Sequence, residues 1–307
     1  MKVLVTGGAG FIGSHLCEAL LNEGYQVRIL DDLSVGTLTN IPSQCEFIQG
    51  SVLDPAIVEK AMDGVSHVLH DAARVTIRGS VDKFCEDAET NLMGTLQIMK
   101  TAGKHKVQRF IYASSMAVYS DSEEPVGISE TYSQVPASPY GIAKLAAERY
   151  VLLTGSDLGL QPTVLRYFNT FGTRQTYTPY VGVITIFITR LLKHQDLTIF
   201  GDGEQRRDFV HVSDIVQANL LSLKNDNAVG QIFNVGSGRG TSVNELAQLL
   251  TSKLYPQARV NHEEMRTEEL RYSIANISKI ESLLGYAPQT NFEAQIPDVV
   301  EYIRKNL

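Results

Sequence analysis

Tyr140 and Lys144 stand four residues apart in Tyr140-Gly141-Ile142-Ala143-Lys144, a spacing that puts both side chains on one face of a helix. A phenol with its pKa near 10 is a poor base at neutral pH, and a neighbouring ammonium favours the ionised form. So placed, the tyrosine can exchange a proton with a sugar or alcohol hydroxyl while a hydride moves to or from a carrier. Surface helices also hold Tyr and Lys at this spacing, so the pair gains meaning only from its surroundings. Ser115 lies 25 residues upstream of Tyr140, at the end of the apolar run Gln108-Arg109-Phe110-Ile111-Tyr112-Ala113-Ser114. The C-terminal end of a parallel strand is where open α/β sheets bind ligands, and a hydroxyl there can orient a reacting oxygen.

A hydride carrier has its own signature at the start of the chain. Val3-Leu4-Val5-Thr6 reads as a buried strand that breaks into Gly7-Gly8-Ala9-Gly10-Phe11-Ile12-Gly13. A helix with Ile12, Leu16, Ala19 and Leu20 on one face follows, and Gly24 closes it. Glycines let the backbone approach a pyrophosphate, and the N–H groups and dipole of the helix N-terminus favour its charge. Gln26-Val27-Arg28-Ile29-Leu30 is a second strand, ending in Asp31, 18 residues after Gly13. A carboxylate there accepts from both ribose hydroxyls of an adenosine and repels a 2′-phosphate, which selects NAD over NADP.

The elements that must hold these groups alternate along the chain. Further strands are expected at Glu46–Gln49, Ser66–His70, Gln108–Ala113 and Pro162–Tyr167. Helices are expected at 54–63, with Asp54 as N-cap and Pro55 at N1, at 82–104 as one long helix, and at 139–154. This is an α/β protein, a doubly wound parallel sheet of the Rossmann type with a smaller C-terminal α/β substrate-binding part. The expected division is 1–170 for the dinucleotide and 171–307 for the substrate, with strand 231–235 added to the first sheet.

The chain has 307 residues, 43% apolar and 20% charged, with a formal charge of −7. That composition fits a soluble protein with a full core. No basic stripe suggests nucleic acid, and no apolar run reaches the ~18 residues of a membrane span. Three cysteines, Cys17, Cys45 and Cys85, are not spaced as metal-ligand pairs, so no metal is expected. Sparse cysteines and the absence of a signal peptide point to the cytoplasm.

Taken together, the chain resembles the extended short-chain dehydrogenase/reductase family, and within it the nucleotide-sugar 4-epimerases. The resemblance covers nearly all the sequence. It rests on the glycine motif, Ser114-Ser115-Met116-Ala117-Val118-Tyr119, Tyr140 with Lys144, Leu165-Arg166-Tyr167-Phe168-Asn169, and the run Gly201-Asp202-Gly203-Glu204-Gln205-Arg206-Arg207-Asp208-Phe209-Val210-His211-Val212. It implies a catalytic triad of Ser115, Tyr140 and Lys144. The implied NAD site comprises Gly7, Gly10, Phe11, Ile12, Gly13, Asp31, Ser51, Val52, Ala72, Ala73, Asn91, Tyr140, Lys144 and Phe168. On the substrate side it implies Thr76, Ser115, Asn169 and Val183, then Thr198 and Phe200 about the base, Arg207 and Arg266 on the diphosphate, Glu269 on the ribose, and Ser273.

Related 4,6-dehydratases carry an Asp-Glu pair after the catalytic serine or threonine, and glucuronate decarboxylases a Glu two residues after it. This chain has Met116 and Ala117 there, neither able to transfer a proton. The implied activity is therefore UDP-sugar 4-epimerisation by transient oxidation at carbon 4, with UDP-glucose and UDP-galactose as the default pair and NAD retained. Ser273, small where the family places bulk against N-acetyl groups, extends the expectation to UDP-N-acetylglucosamine. Thr76 and Arg78, near carbon 6, keep a glucuronate substrate open, and a decarboxylase, a dehydratase or a non-catalytic NAD sensor are the other readings. Asp71 stands where the family is usually apolar, and Ser51 where it usually has an acid on adenine. The family's habit of pairing the helices 82–104 and 139–154 implies a homodimer.

Overall fold

Val3 and Val5 of β1 (Lys2–Thr6) enter one apolar core, while Leu4 between them enters another. A strand buried on both faces belongs inside a parallel sheet covered by helices on both sides. The computed structural model describes residues 1–75, 79–122, 124–177, 182–264, 270–289 and 291–307. After β1 come α1 (Phe11–Asn22), β2 (Gln26–Asp31), β3 (Glu46–Gln49), α2 (Pro55–Met62) and β4 (His67–His70). Asp54 caps α2, its carboxylate accepting from the Ala56 and Ile57 N–H groups at 2.9 and 3.2 Å.

The expected single helix over 82–104 is instead four pieces: α3 (Gly79–Asp82), α4 (Phe84–Ala88), a π-helical stretch at Glu89–Gly94, and α5 (Thr95–Lys104). The wider π turn carries Asn91, whose side chain is claimed by the loop after β4. Asn91 Nδ2 donates to the Arg74 carbonyl at 3.0 Å and Oδ1 accepts the Arg74 N–H at 2.9 Å. Helical periodicity alone does not register such a bulge, because its cause lies in a distant loop.

Then follow β5 (Arg109–Ser115), α6 (Pro139–Gly155), β6 (Gln161–Tyr167), β7 (Asn169–Phe171), α7 (Val183–Leu192), β8 (Leu197–Phe200), β9 (Arg206–His211) and α8 (Val212–Lys224). The chain closes with β10 (Ile232–Val235), β11 (Gly240–Ser242), α9 (Val243–Leu254), β12 (Val260–Glu263), β13 (Tyr272–Ser273), α10 (Ser278–Leu284) and α11 (Phe292–Lys305). Seven strands form the main sheet in the order β10-β6-β5-β4-β1-β2-β3, every pair parallel. The order reverses between β1 and β4, so the loops leaving those two strands flank a crevice open to a ligand.

Beyond residue 170 the chain serves both parts. Residues of α8 and α10 (Ile215, Ala218, Ile280, Leu284) join Leu16 and Leu20 of α1 in the core on one face of the main sheet. Meanwhile α7, α9 and α11 enclose a separate core with β8 and β9. In that part β9 pairs with β7, β11 and β13, and β8 pairs with β12.

Two buried polar assemblies fix the frame around the crevice. In the first, Arg166 of β6 and Glu148 of α6 are both wholly buried and paired twice, Nε to Oε1 at 2.9 Å and Nη2 to Oε2 at 2.6 Å. Ser114 Oγ also donates to Glu148, and Arg166 Nη1 donates to the Tyr119 hydroxyl at 2.8 Å and the Glu130 carbonyl at 3.0 Å. In the second, His70 lies between two threonines, with Nδ1 2.7 Å from Thr6 Oγ1 and Nε2 3.0 Å from Thr95 Oγ1. Thr95 donates to the Asn91 carbonyl and Thr6 accepts the Ala72 N–H. Because Thr95 gives its proton to Asn91, His70 Nε2 must be the donor and carries a proton. Burial keeps the ring neutral, holding its pKa down to about 3.

Removing one member of a buried ion pair strands the other. Glu148→Gln is therefore expected to lower unfolding free energy by about 3–5 kcal/mol in urea titrations; a loss under about 1 kcal/mol would show the pair to be dispensable. For His70, the unfolded chain binds a proton below its usual pKa of 6.5 and the folded chain does not. Its contribution is thus complete above that pH and falls as pH drops towards 3, by about 1.4 kcal/mol per unit. Between pH 6.5 and 5.5 the wild-type protein should lose about 1 kcal/mol more stability than His70→Gln, and equal losses would contradict the neutral buried imidazole.

Candidate active site

The crevice between the β1 and β4 loops meets the criteria for a dinucleotide. α1 starts at Gly10 with no side chain capping it and no acid in its first turn, which leaves backbone N–H groups for a phosphate. A Cβ on Gly13 would stand 2.1 Å from the Gly7 carbonyl oxygen, so only glycine lets the helix start this close to β1. Asp31 sits at the end of β2, its Oδ2 accepting the Ala9 N–H at 3.0 Å and its Oδ1 the Leu33 N–H at 2.8 Å. One lone pair on each oxygen remains for a diol. The Ala72 backbone lies against Gly7 at the end of β4 and Ala73 follows it, in a loop held by Thr6 and Asn91. Asn91 is itself buried, with both ends of its amide engaged by Arg74 and Asp87. Ser51 holds its own turn, accepting the Leu53 N–H, and Val52 packs against Gly94 in the π turn.

Ser115, Tyr140 and Lys144 come together at the mouth of the same crevice. Ser138 caps α6 by accepting the Gly141 N–H at 3.1 Å, and Pro139 occupies its first turn. A Cβ at Gly141 would lie 2.2 Å from the Ala117 carbonyl oxygen. That close approach brings Tyr140 beside the loop after β5, where it lines the same cleft as Ser115. Lys144 is buried, donates to the Ala113 carbonyl at 2.8 Å, and lies 4.9 Å from the Tyr112 ring centre and 5.9 Å from that of Tyr140.

Burial pushes the Lys144 ammonium down to about 8, with Asp71, Asp87 and Glu148 acting in the opposite direction. The Tyr140 phenol departs from the sequence expectation. Burial raises its pKa above the usual value, Ser115 acts downwards, and Asp87 and Asp71 raise it further. The ammonium expected to lower it is held by the Ala113 carbonyl instead. The free protein therefore keeps a neutral phenol.

A cleft of about 760 Å³ runs from Ser115 and Tyr140 into the second part of the molecule. Asn169, Val183, Thr198, Phe200 and Arg207 all line it, as do Met116, Ala117 and Phe168. Arg207 Nη1 donates to the Arg206 carbonyl at 3.0 Å, which holds the guanidinium at the wall. Ser273 is wholly buried rather than at the surface of the cleft, behind Asn169 and 3.5 Å from its Nδ2. Thr76, Arg78, Arg266 and Glu269 lie outside the described residues. Sequence reading missed Gln175, Tyr177 and Arg190, which also face the cleft. Only the tertiary packing of α7 reveals them: Gln175 accepts from Thr185 at 2.6 Å and donates to the Thr170 carbonyl at 3.3 Å.

Comparison with known proteins gives this geometry its context. The profile of the NAD dependent epimerase/dehydratase family matches residues 3–236. A putative UDP-glucose 4-epimerase of Methanocaldococcus jannaschii is 36% identical over 305 residues, 99% of each chain. The crystal structure of a UDP-glucose 4-epimerase with UDP-glucose, from Thermotoga maritima, superposes with a TM-score of 0.95 at 37% identity over 100% of this chain and 99% of that one. That of a UDP-glucuronic acid 4-epimerase from Bacillus cereus, with UDP-glucuronic acid and NAD, does so with a TM-score of 0.93 at 30% identity over 100% of both. By these matches the chain belongs to the NAD dependent epimerase/dehydratase family.

Proposed function

We propose that this protein is a UDP-sugar 4-epimerase that works with tightly held NAD, UDP-glucose and UDP-galactose being its default pair. The observation that carries the reading is the surroundings of Ser115. Met116 and Ala117 line the cleft directly beside it, and neither can move a proton. Elimination of water or loss of a carboxylate needs a further acid or base near carbons 5 and 6, whereas 4-epimerisation needs only one proton and one hydride exchanged at carbon 4.

The dinucleotide supplies the hydride acceptor and donor. The protein's own groups handle the proton and the geometry. Ser115 and Tyr140 receive the 4-hydroxyl; the phenol first releases its own proton to solvent, and the resulting phenolate then takes the hydroxyl proton. Lys144 holds the end of β5 beside them through the Ala113 carbonyl. Arg207 holds the diphosphate and Thr198 and Phe200 flank the base, so the sugar is the part free to turn before its proton and hydride return to the other face. Arg266 and Glu269 complete the nucleotide grip in this reading, and Thr76 lies near carbon 6. The small Ser273 adds no bulk behind Asn169, which favours UDP-N-acetylglucosamine as a second substrate.

The same reading includes a homodimer. Leu92, Leu96, Met99 and Val151 turn into the protein's own core and Leu145 packs on the other face. Ile142, Tyr150 and Leu153 of α6, with Met93 of the π turn, stay exposed. Ile142, Tyr150 and Leu153 fall on one stripe of α6 and suit pairing with a second copy.

Purified protein incubated with UDP-glucose should yield UDP-galactose at unchanged mass, with no reductant added. Tyr140→Phe should lower kcat by about 10²–10⁴-fold with KM little changed. A product lighter by water or carbon dioxide would overturn the epimerase assignment, and turnover of UDP-glucose but not of UDP-N-acetylglucosamine would overturn the role given to Ser273. For assembly, light scattering should give twice the chain mass, and Leu153→Lys should shift it towards the monomer. A wild-type monomer would rule out the dimer.

A further inference from the structure

Two polar atoms on the wall of the cleft are buried without a hydrogen-bond partner among the described residues: Gln205 Oε1 and Arg190 Nε. Gln205 stands just before β9 and is only 7% exposed. Its Nε2 donates to the Phe200 carbonyl at 2.9 Å, across the turn that joins β8 to β9. That carbonyl can meet only the NH₂ end of the amide, so Oε1 is turned away from it and keeps its lone pairs. Arg190 ends the stripe Val183, Ile186, Phe187, Arg190 along α7, and all four line the cleft. Its carbonyl accepts the Gln195 N–H at 2.9 Å, which sets it directly before the turn into β8. A bare acceptor and a charged donor withdrawn from water are costly until something pairs with them. Between the two in the chain come Thr198 and Phe200 of β8, which line the same cleft.

We propose that Gln205 and Arg190 read the edge of the substrate's base: Gln205 Oε1 accepts the ring N3–H of a uracil or thymine, and Arg190 donates to the neighbouring O4. Together they set a preference for a keto pyrimidine over cytosine. The inference rests on the nucleotide-sugar reading above, in which Thr198 and Phe200 flank that base.

Uracil and thymine present a ring N–H next to a carbonyl, one donor beside one acceptor. Cytosine presents the reverse, a bare ring nitrogen beside an amino group. Against cytosine, Oε1 would meet a lone pair and the guanidinium would meet N–H donors. Neither protein group can turn to suit it. A guanidinium has no acceptor to offer, and rotating the Gln205 amide would set Oε1 against the Phe200 carbonyl. Buried polar groups left unpaired by the wrong ligand discriminate far more strongly than apolar walls do. Ribose and diphosphate are common to both nucleotides, so a grip on those parts does not choose between them.

The test is calorimetric titration of UDP and of CDP, which differ only in the base, into the full chain with NAD present. The wild type should bind UDP about 100-fold more tightly, roughly tenfold for each matched group. Gln205→Met removes the acceptor and Arg190→Met the donor, and each should lower the UDP-to-CDP affinity ratio about tenfold. Damage to packing alone weakens both nucleotides alike and leaves the ratio unmoved. Gln205→Met also gives up the bond to Phe200, but the wild-type ratio and Arg190→Met do not depend on that loss. A wild-type preference below about tenfold would overturn the proposal, as would a ratio within about threefold of the wild type in either variant. UDP bound without preference over CDP would leave the nucleotide-sugar reading standing while this inference falls. Binding of neither would remove that reading, and this inference with it.

Discussion

The buried pair between Arg166 and Glu148 is the joint on which the active site hangs. Its two ends belong to β6 and α6, and Ser114 ties β5 to the same carboxylate. β5 ends in Ser115, and α6 carries Tyr140 and Lys144. One guanidinium thus fixes the rotation of the helix that presents the phenol relative to the strand that presents the hydroxyl. A pair of apolar residues of equal size would fill the space with less desolvation. It would not specify direction, because a bidentate fork accepts one alignment of helix on strand and apolar packing accepts several. The Arg166 fork also stacks 4.8 Å from the Tyr119 ring centre, and the Tyr119 hydroxyl donates to Asn234 of β10 at 2.6 Å. The network therefore reaches the last strand of the sheet.

On the other side of the crevice the equivalent task falls to neutral groups. His70, Thr6 and Thr95 form an unbroken line of hydrogen bonds from the Ala72 N–H to the Asn91 carbonyl. It couples the loop after β4 to the π turn without adding charge near a diphosphate. Asn91 then clamps Arg74 at both its N–H and its carbonyl. A loop carrying two alanines has few side-chain contacts of its own, so its shape must be imposed from beneath. The π turn is the geometric consequence, since a regular helix would not direct the amide at the loop.

Protonation follows the same division. Burial depresses Lys144 and raises Asp71, bringing an ammonium and a carboxyl group from opposite ends of the scale to the neighbourhood of neutral pH. Tyr140 moves the other way from what its lysine neighbour suggested. Helical spacing gives a shared face but no depth, and depth decides a pKa where solvent is excluded.

Much of this protein is written in local sequence. The strand that breaks into Gly7–Gly13, the acid at Asp31, the Asp54-Pro55 helix start and the four-residue step from Tyr140 to Lys144 depend on backbone stereochemistry and short-range periodicity, which a sequence displays directly. So do the alternating strands and helices that make a doubly wound sheet. Tertiary structure alone decided the rest, because it involves partners far apart in the chain. It set the π turn that answers to Arg74 and the burial that keeps Tyr140 neutral. It also placed Ser273 behind Asn169, gave α8 and α10 to the first sheet, and brought Gln175, Tyr177 and Arg190 to the cleft. In each case the deciding quantity is desolvation or a hydrogen bond across dozens of residues, which periodicity along the chain does not encode.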